Sequence, residues 1–279
     1  MMEHSKHVET GDVVPVRPRA GVPVEETAAD SAWRMGTRLG FWAALVTAAF
    51  SAAALAVAVT TPPRSGPYCR SGCISYPYTD VAEYVPRDYL WMYPALLGAI
   101  AFVVLAACVH SSASGRWKGW TLAGTCLAVI GAGALAIDYG LQLSVVQPSL
   151  LAGEISDLSL LSQYNPHGIF IGLENLGYAT FGLAALFLGV PLANTGLKAA
   201  PAAGRVLFLG GALTLGLLVF LGFLYQEQLE YRFEVLGLLV MDLVLIVSGI
   251  LLAVAFFEPG PRPSEHHDWR KHHRKVGPS

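Results

Sequence analysis

An all-α integral membrane protein with six transmembrane helices is the fold class this sequence predicts, and three observations predict it. The chain is 54% hydrophobic and only 14% charged, too apolar for a soluble domain of 279 residues. Six runs, free or nearly free of charge, are long enough to cross a hydrocarbon core of ~30 Å at ~1.5 Å per residue. Lys and Arg fall unevenly on the segments between those runs, 14 on one side and 4 on the other.

Residues 1–38 open with acids and prolines and carry few large apolar groups, so they are expected to form a disordered tail that cannot offset its ordering cost by burial. No apolar run precedes Leu39, and no cleavable signal peptide is expected. The six-helix domain covers 39–257. Its first span is Leu39 to Thr60, which holds no charge. Residues 61–89, rich in Pro, Gly and Tyr, read as an irregular loop because the prolines break any helical period. The second span is roughly 90–109, with Pro94 in its first turns, and the third runs from Trp120 to about Val145. On the third, Ala128, Ala132, Ala136 and Gly140 form a row of small residues that admits a neighbouring helix closely.

Residues 146–163 are too short and too interrupted to span and suggest a surface or re-entrant helix. Asn165 as cap, Pro166 at the first helical position and His167 at the second then open a fourth span that ends near Pro191. The fifth span covers roughly 206–225. The sixth covers roughly 233–257, stopped by Pro259 and Pro261, and a basic tail occupies 258–279. Six spans put both termini on one side, and the basic excess makes that side cytoplasmic, in a plasma membrane.

Function is expected where ionisable groups enter the spans, because a charge at the centre of a spanning helix costs at least ~2.5 kcal/mol and needs a partner, a cavity or a role. At ~1.5 Å per residue, Asp138 lies about 27 Å above Trp120, Glu174 about 25 Å above Pro191 and Asp242 about 25 Å above Pro259, all in the outer part of the membrane. Asp138 and Gln142 share a face of the third span, with His167, Glu174 and Tyr178 on one face of the fourth. Should spans three, four and six meet, these residues and Asp242 line an outward-opening acidic pocket, with Asn175 beside it and Glu174 as its principal ionisable group.

Cys69 and Cys73 lie in the first outer loop, where a disulfide can persist, and the alternative is two free thiols. Four ligands for a structural zinc are not assembled there, so no metal is expected. Cys108 and Cys126 read as small core residues. The tail histidines of HHDWRKHH (His266, His267, His272, His273) follow a proline-rich stretch with no fold to hold a metal; beside the membrane, this basic segment suits anionic lipid. No cofactor is expected: His110 and His167 fall on opposite membrane sides and cannot form one haem axial pair. Nor is a nucleic-acid partner, since there is no basic stripe. The absence of a GxSxG, HExxH or similar constellation argues against an enzyme.

The segment 142–182, QLSVVQPSLLAGEISDLSLLSQYNPHGIFIGLENLGYATFG, resembles a segment of uncharacterised prokaryotic multi-pass membrane proteins. That resemblance implies an integral membrane protein and transfers no site residue. Two functional readings stand: a pocket that binds or transports a small solute, cation or proton, and a non-catalytic membrane scaffold or sensor whose polar residues serve helix packing.

Overall fold

The computed structural model describes residues 28–78, 81–195, 199–229 and 231–257, with side chains from Thr37 onward. The expected tail over 1–27 and the basic segment 258–279, with its lipid-contact role, lie outside the described residues. Among those residues the chain is all helical with no strand, as the hydrophobic runs require. The helices are α1 (Ala28–Ala58), α2 (Met92–Ser112), α3 (Lys118–Leu141), α4 (Gln147–Ala152), α5 (Ile169–Ala193), α6 (Ala200–Tyr225) and α7 (Tyr231–Phe257). Six segments are long and apolar enough to cross a membrane, α3 and α4 together making one of them.

The six spans run up and down and close a ring in the order α1, α2, α3, α5, α6, α7, with α5 also touching α7 across it. Phe256 of α7 packs on Gly40 of α1, so the first span begins where the last one ends. We call this the terminal end and the opposite one the distal end. Helix α5 is the most buried span and α6 the least; Phe220 and Phe223 of α6 point outward, as lipid-facing residues do.

Small residues set how closely α5 is gripped. At the α5–α6 crossing Gly204 and Gly189 meet so tightly that a Cβ on Gly189 would stand 2.7 Å from the Gly204 carbonyl oxygen. A Cβ on Gly204 would overlap the Ala193 backbone nitrogen, and one on Gly211 the Gly182 carbonyl. In a bilayer, where burying apolar surface gives no net gain, such backbone proximity is what holds helices together. On α3, Ala128 and Ala132 of the expected row are buried, but Gly140 has open space around it. The α5 contacts are made instead at Gly124 against Leu188 and at Gly131 against Phe181.

Four boundaries differ from the sequence expectation, the simplest being that of α6, which starts at Ala200 rather than near 206. Helix α1 starts at Ala28, so residues 28–38 are helical where a tail was expected; Ala28, Ala29 and Ala32 supply helix propensity there. The third span does not stop at Val145. A π-helical turn over Gln142–Val146 carries it into α4, so that the whole segment Gly115–Ala152 is one rod of 38 residues. Pro148 follows directly on the π-helical turn, where the Gln147 N–H bonds back to the Gln142 carbonyl and the widened backbone leaves room for a proline ring, and Gly153 at φ 77° ends the rod. At about 57 Å the rod overshoots the ~30 Å hydrocarbon core. The segment expected as a re-entrant helix is therefore part extension of this span and part a distal loop holding a short turn, Leu158–Leu160.

The last difference is the start of α5. Asn165 does not cap it: its Oδ1 accepts from the His167 backbone N–H at 3.0 Å, a local turn, and Gly168 stands at the N-cap in extended conformation. The side-chain turn satisfies the backbone before a helix can begin. The distal loop after α1 carries a Cys69–Cys73 disulfide, the paired alternative of the two the sequence left open.

Candidate functional site

Three helices bring carboxyls together near the distal end. Asp138 sits on the last turn of α3, Glu174 on the second turn of α5 and Glu234 on the first turn of α7. Their relative exposures are 1%, 0% and 9%, so all three are removed from bulk solvent. The Glu174 and Glu234 carboxyls adjoin, and Asp138 lies close enough to interact electrostatically with both. Tyr139 donates its hydroxyl to Glu174 Oε1 at 2.7 Å, and the Tyr139 and Tyr178 hydroxyls meet at 3.0 Å. One oxygen of each acid, Asp138 Oδ2, Glu174 Oε2 and Glu234 Oε2, is buried with no hydrogen-bond partner. None of the three is ion-paired among the described residues, whose ion pair Arg64–Asp88 lies elsewhere. Carboxyls that share a low-dielectric site repel one another, so the set can hold positive charge, as protons or as a cation.

A cavity of about 280 Å³ opens beside this set, between the loop after α1, the start of α7 and residues 163–171. Glu234 is on its wall, so one side chain faces both the cavity and Glu174. Trp91 and Phe170 also line the cavity and pack on the Tyr139 ring at centroid distances of 5.4 and 6.3 Å, forming the partition between the two. At the rim, Arg64 Nε donates to Asp88 Oδ2 at 3.0 Å, and the Tyr164 hydroxyl donates to the same oxygen at 3.1 Å. The Arg64 guanidinium lies 3.7 Å from the centre of the Tyr84 ring. Burial disfavours charge on Arg64, but the bond to Asp88 and its negative charge outweigh that and raise the guanidinium above its ordinary value. Burial, and then the Asp88 charge, push the Tyr164 hydroxyl far above the ordinary tyrosine range, so it remains a donor. Ser65 completes the rim by donating to the Tyr164 carbonyl at 2.5 Å and meeting the Tyr231 hydroxyl at 2.8 Å.

Of the residues singled out from sequence, Asp138, Glu174 and Tyr178 stand together. Gln142, also buried, is drawn to the loop, its Nε2 donating to the Leu161 carbonyl at 2.6 Å while its Oε1 lacks a partner. Asp242 lies two turns past Glu234 on α7; it accepts from Ser51 of α1 and approaches the set only through Tyr178. His167 does not join them. It is exposed, precedes α5 rather than lying within it, and places Nε2 3.3 Å from the Glu227 carbonyl. The shared face drawn through His167, Glu174 and Tyr178 fails at His167, because that face assumed a helix already begun at Pro166.

Sequence reasoning missed Glu234, Tyr139 and the Arg64–Asp88–Tyr164 clasp. Glu234 stands two residues after Arg232 at the mouth of a span, where an acid reads as a solvated flank, and its eight-residue spacing from Asp242 turns it well away from that residue's side of the helix, so periodicity gave no signal for it. The clasp joins residues 24 and 76 positions apart through irregular loops, which no periodicity encodes.

A second cavity of about 310 Å³ lies at the terminal end between the α2–α3 and α5–α6 turns, with Arg116, Thr121 and Asn194 on its wall. It holds no acid. Among the described residues no three His, Cys, Asp or Glu side chains converge as a metal site. No family profile, curated protein or solved structure matches this chain.

Proposed function

We propose that this is a plasma-membrane binding or transport protein that draws positive charge, as protons or a small cation, from an outward-facing distal cavity into the Asp138–Glu174–Glu234 set. The observation that carries the reading is the double position of Glu234, on the cavity wall and against Glu174. Intramembrane acids are costly enough that a cluster of three calls for a role, and its closeness to a cavity supplies one. The basic excess at the terminal end supports cytoplasmic termini and hence an outward cavity.

The Tyr139 bond and the complete burial of Glu174 favour a second reading, in which the acids serve helix packing in a scaffold. Proteoliposomes separate the two. A pH gradient should drive proton flux through the native protein and not through Glu174→Gln, which keeps an acceptor for Tyr139 and should fold. Native protein that is folded but carries no flux and no cation would return the acids to packing.

A further inference from the structure

We infer that the distal cavity is a binding site for an amphiphilic organic amine, its ammonium at Glu234 and its apolar body against Leu55, Val59, Phe170 and Leu238. The inference rests on the reading of the acid set as a site for positive charge and adds the chemical class of the ligand.

Most polar groups around the cavity are committed, the exceptions besides Glu234 being Asp88 Oδ1 and Gln163 Nε2, which are buried without a partner. Arg64 and Tyr164 are bound to Asp88, which leaves that corner without net charge, and the Ser65 hydroxyl is shared between the Tyr164 carbonyl and Tyr231. Glu234 is more than nine-tenths buried, lines the cavity and keeps Oε2 without a hydrogen-bond partner. An ammonium has the charge and the N–H donors to satisfy it. Apart from Thr61 and Gln163 the remainder of the wall is apolar or aromatic, and Trp91 and Tyr68 are among its aromatic residues. A metal ion would lose its hydration here without gaining a ligand set, since no three metal-capable side chains converge among the described residues. An anion would be repelled by Glu234. At about 280 Å³ the space lies at the lower end of small-molecule sites and fits one aromatic ring with a short aminoalkyl arm.

Competition against radiolabelled phenethylamine on the full chain in nanodiscs tests this, with phenethyl alcohol and hydrocinnamate as neutral and anionic counterparts of similar shape. Phenethylamine should bind saturably, at least about ten-fold more tightly than the alcohol, and hydrocinnamate should not displace it. Glu234→Gln should bring the amine down to the level of the alcohol. Leu238→Trp, which keeps the acid and fills the cavity, should weaken the amine as well. No saturable amine binding, equal binding of amine and alcohol, or undiminished binding in both variants would overturn the proposal. The ligand comparison on the native chain stands even if Glu234→Gln fails to fold. Glu174-dependent proton flux without amine binding defeats the amine site alone; loss of both defeats the charge-binding reading with it.

Discussion

Tyr139 is the residue on which the acid set leans, because its hydroxyl supplies the 2.7 Å bond to Glu174 and reaches Tyr178 besides. Tyr139→Phe leaves Glu174 buried without its tyrosine donor, at a cost of about 1–3 kcal/mol. Thermal unfolding in detergent should show a clear loss, and an unchanged midpoint would mean that the bond contributes nothing. The rim clasp contributes more. Arg64→Gln leaves Asp88, 1% exposed, as a buried charge without its cation, for which about 3 kcal/mol of destabilisation is expected. The same clasp gives a pH dependence through Tyr164. Its hydroxyl titrates higher folded than unfolded, so its contribution is full below the free tyrosine value of about 10 and is lost progressively as pH rises beyond it. Tyr164→Phe should therefore flatten the alkaline fall in stability above about pH 10, and equal slopes in both proteins would contradict the assignment. At this scale Asp138 and Glu174 were legible from sequence because a charge in an apolar run stands out. Glu234 and Tyr139 were not, one because it sits at a span's edge and the other because a tyrosine in a span is ordinary.

Helices were legible where hydropathy defines them and illegible where loop geometry does. All six spans follow from apolar runs free or nearly free of charge, yet the third continues through Gln142–Val146 into α4 because a π-helical turn absorbs the polar residues that marked an end. The start of α5 was missed by a few residues since an Asn-Pro pair suits both a helix cap and a turn, and here the Asn165 side chain closes a turn. The residues that fix α5 against its neighbours are glycines, and this gives a prediction about an element. Gly204→Val places side-chain atoms on the backbone of Ala193 and Gly189, so α5 and α6 must separate. A cost of about 1–3 kcal/mol is expected for such overpacking, with lower monodispersity after extraction. A variant as stable as the native protein would show that α6 adjusts freely and that the crossing does not position Glu174.

For the molecule as a whole, the six alternating spans were legible while their order around the ring was not, and the basic asymmetry adds a direction that labelling can check. Ser162, in a distal loop, is buried at 3% exposure and makes a poor reporter, whereas Glu154 and Gly115 are exposed at opposite ends. Cysteine at Glu154 should react with an impermeant reagent from outside the cell, and cysteine at Gly115 only after permeabilisation; the reverse pattern would invert the proposed orientation and turn the cavity to the cytoplasm. The central claim, that a cavity gives access to a carboxyl set held within the membrane, is tested most directly by mapping the sites of an apolar carbodiimide on the native protein by mass spectrometry. Such reagents enter apolar space and attach to carboxylic acids there. Modification at Glu234 and Glu174, slower when Leu238→Trp fills the cavity, is the predicted result; modification confined to exposed acids such as Glu154 and Asp157, with Glu234 and Glu174 untouched, would contradict it.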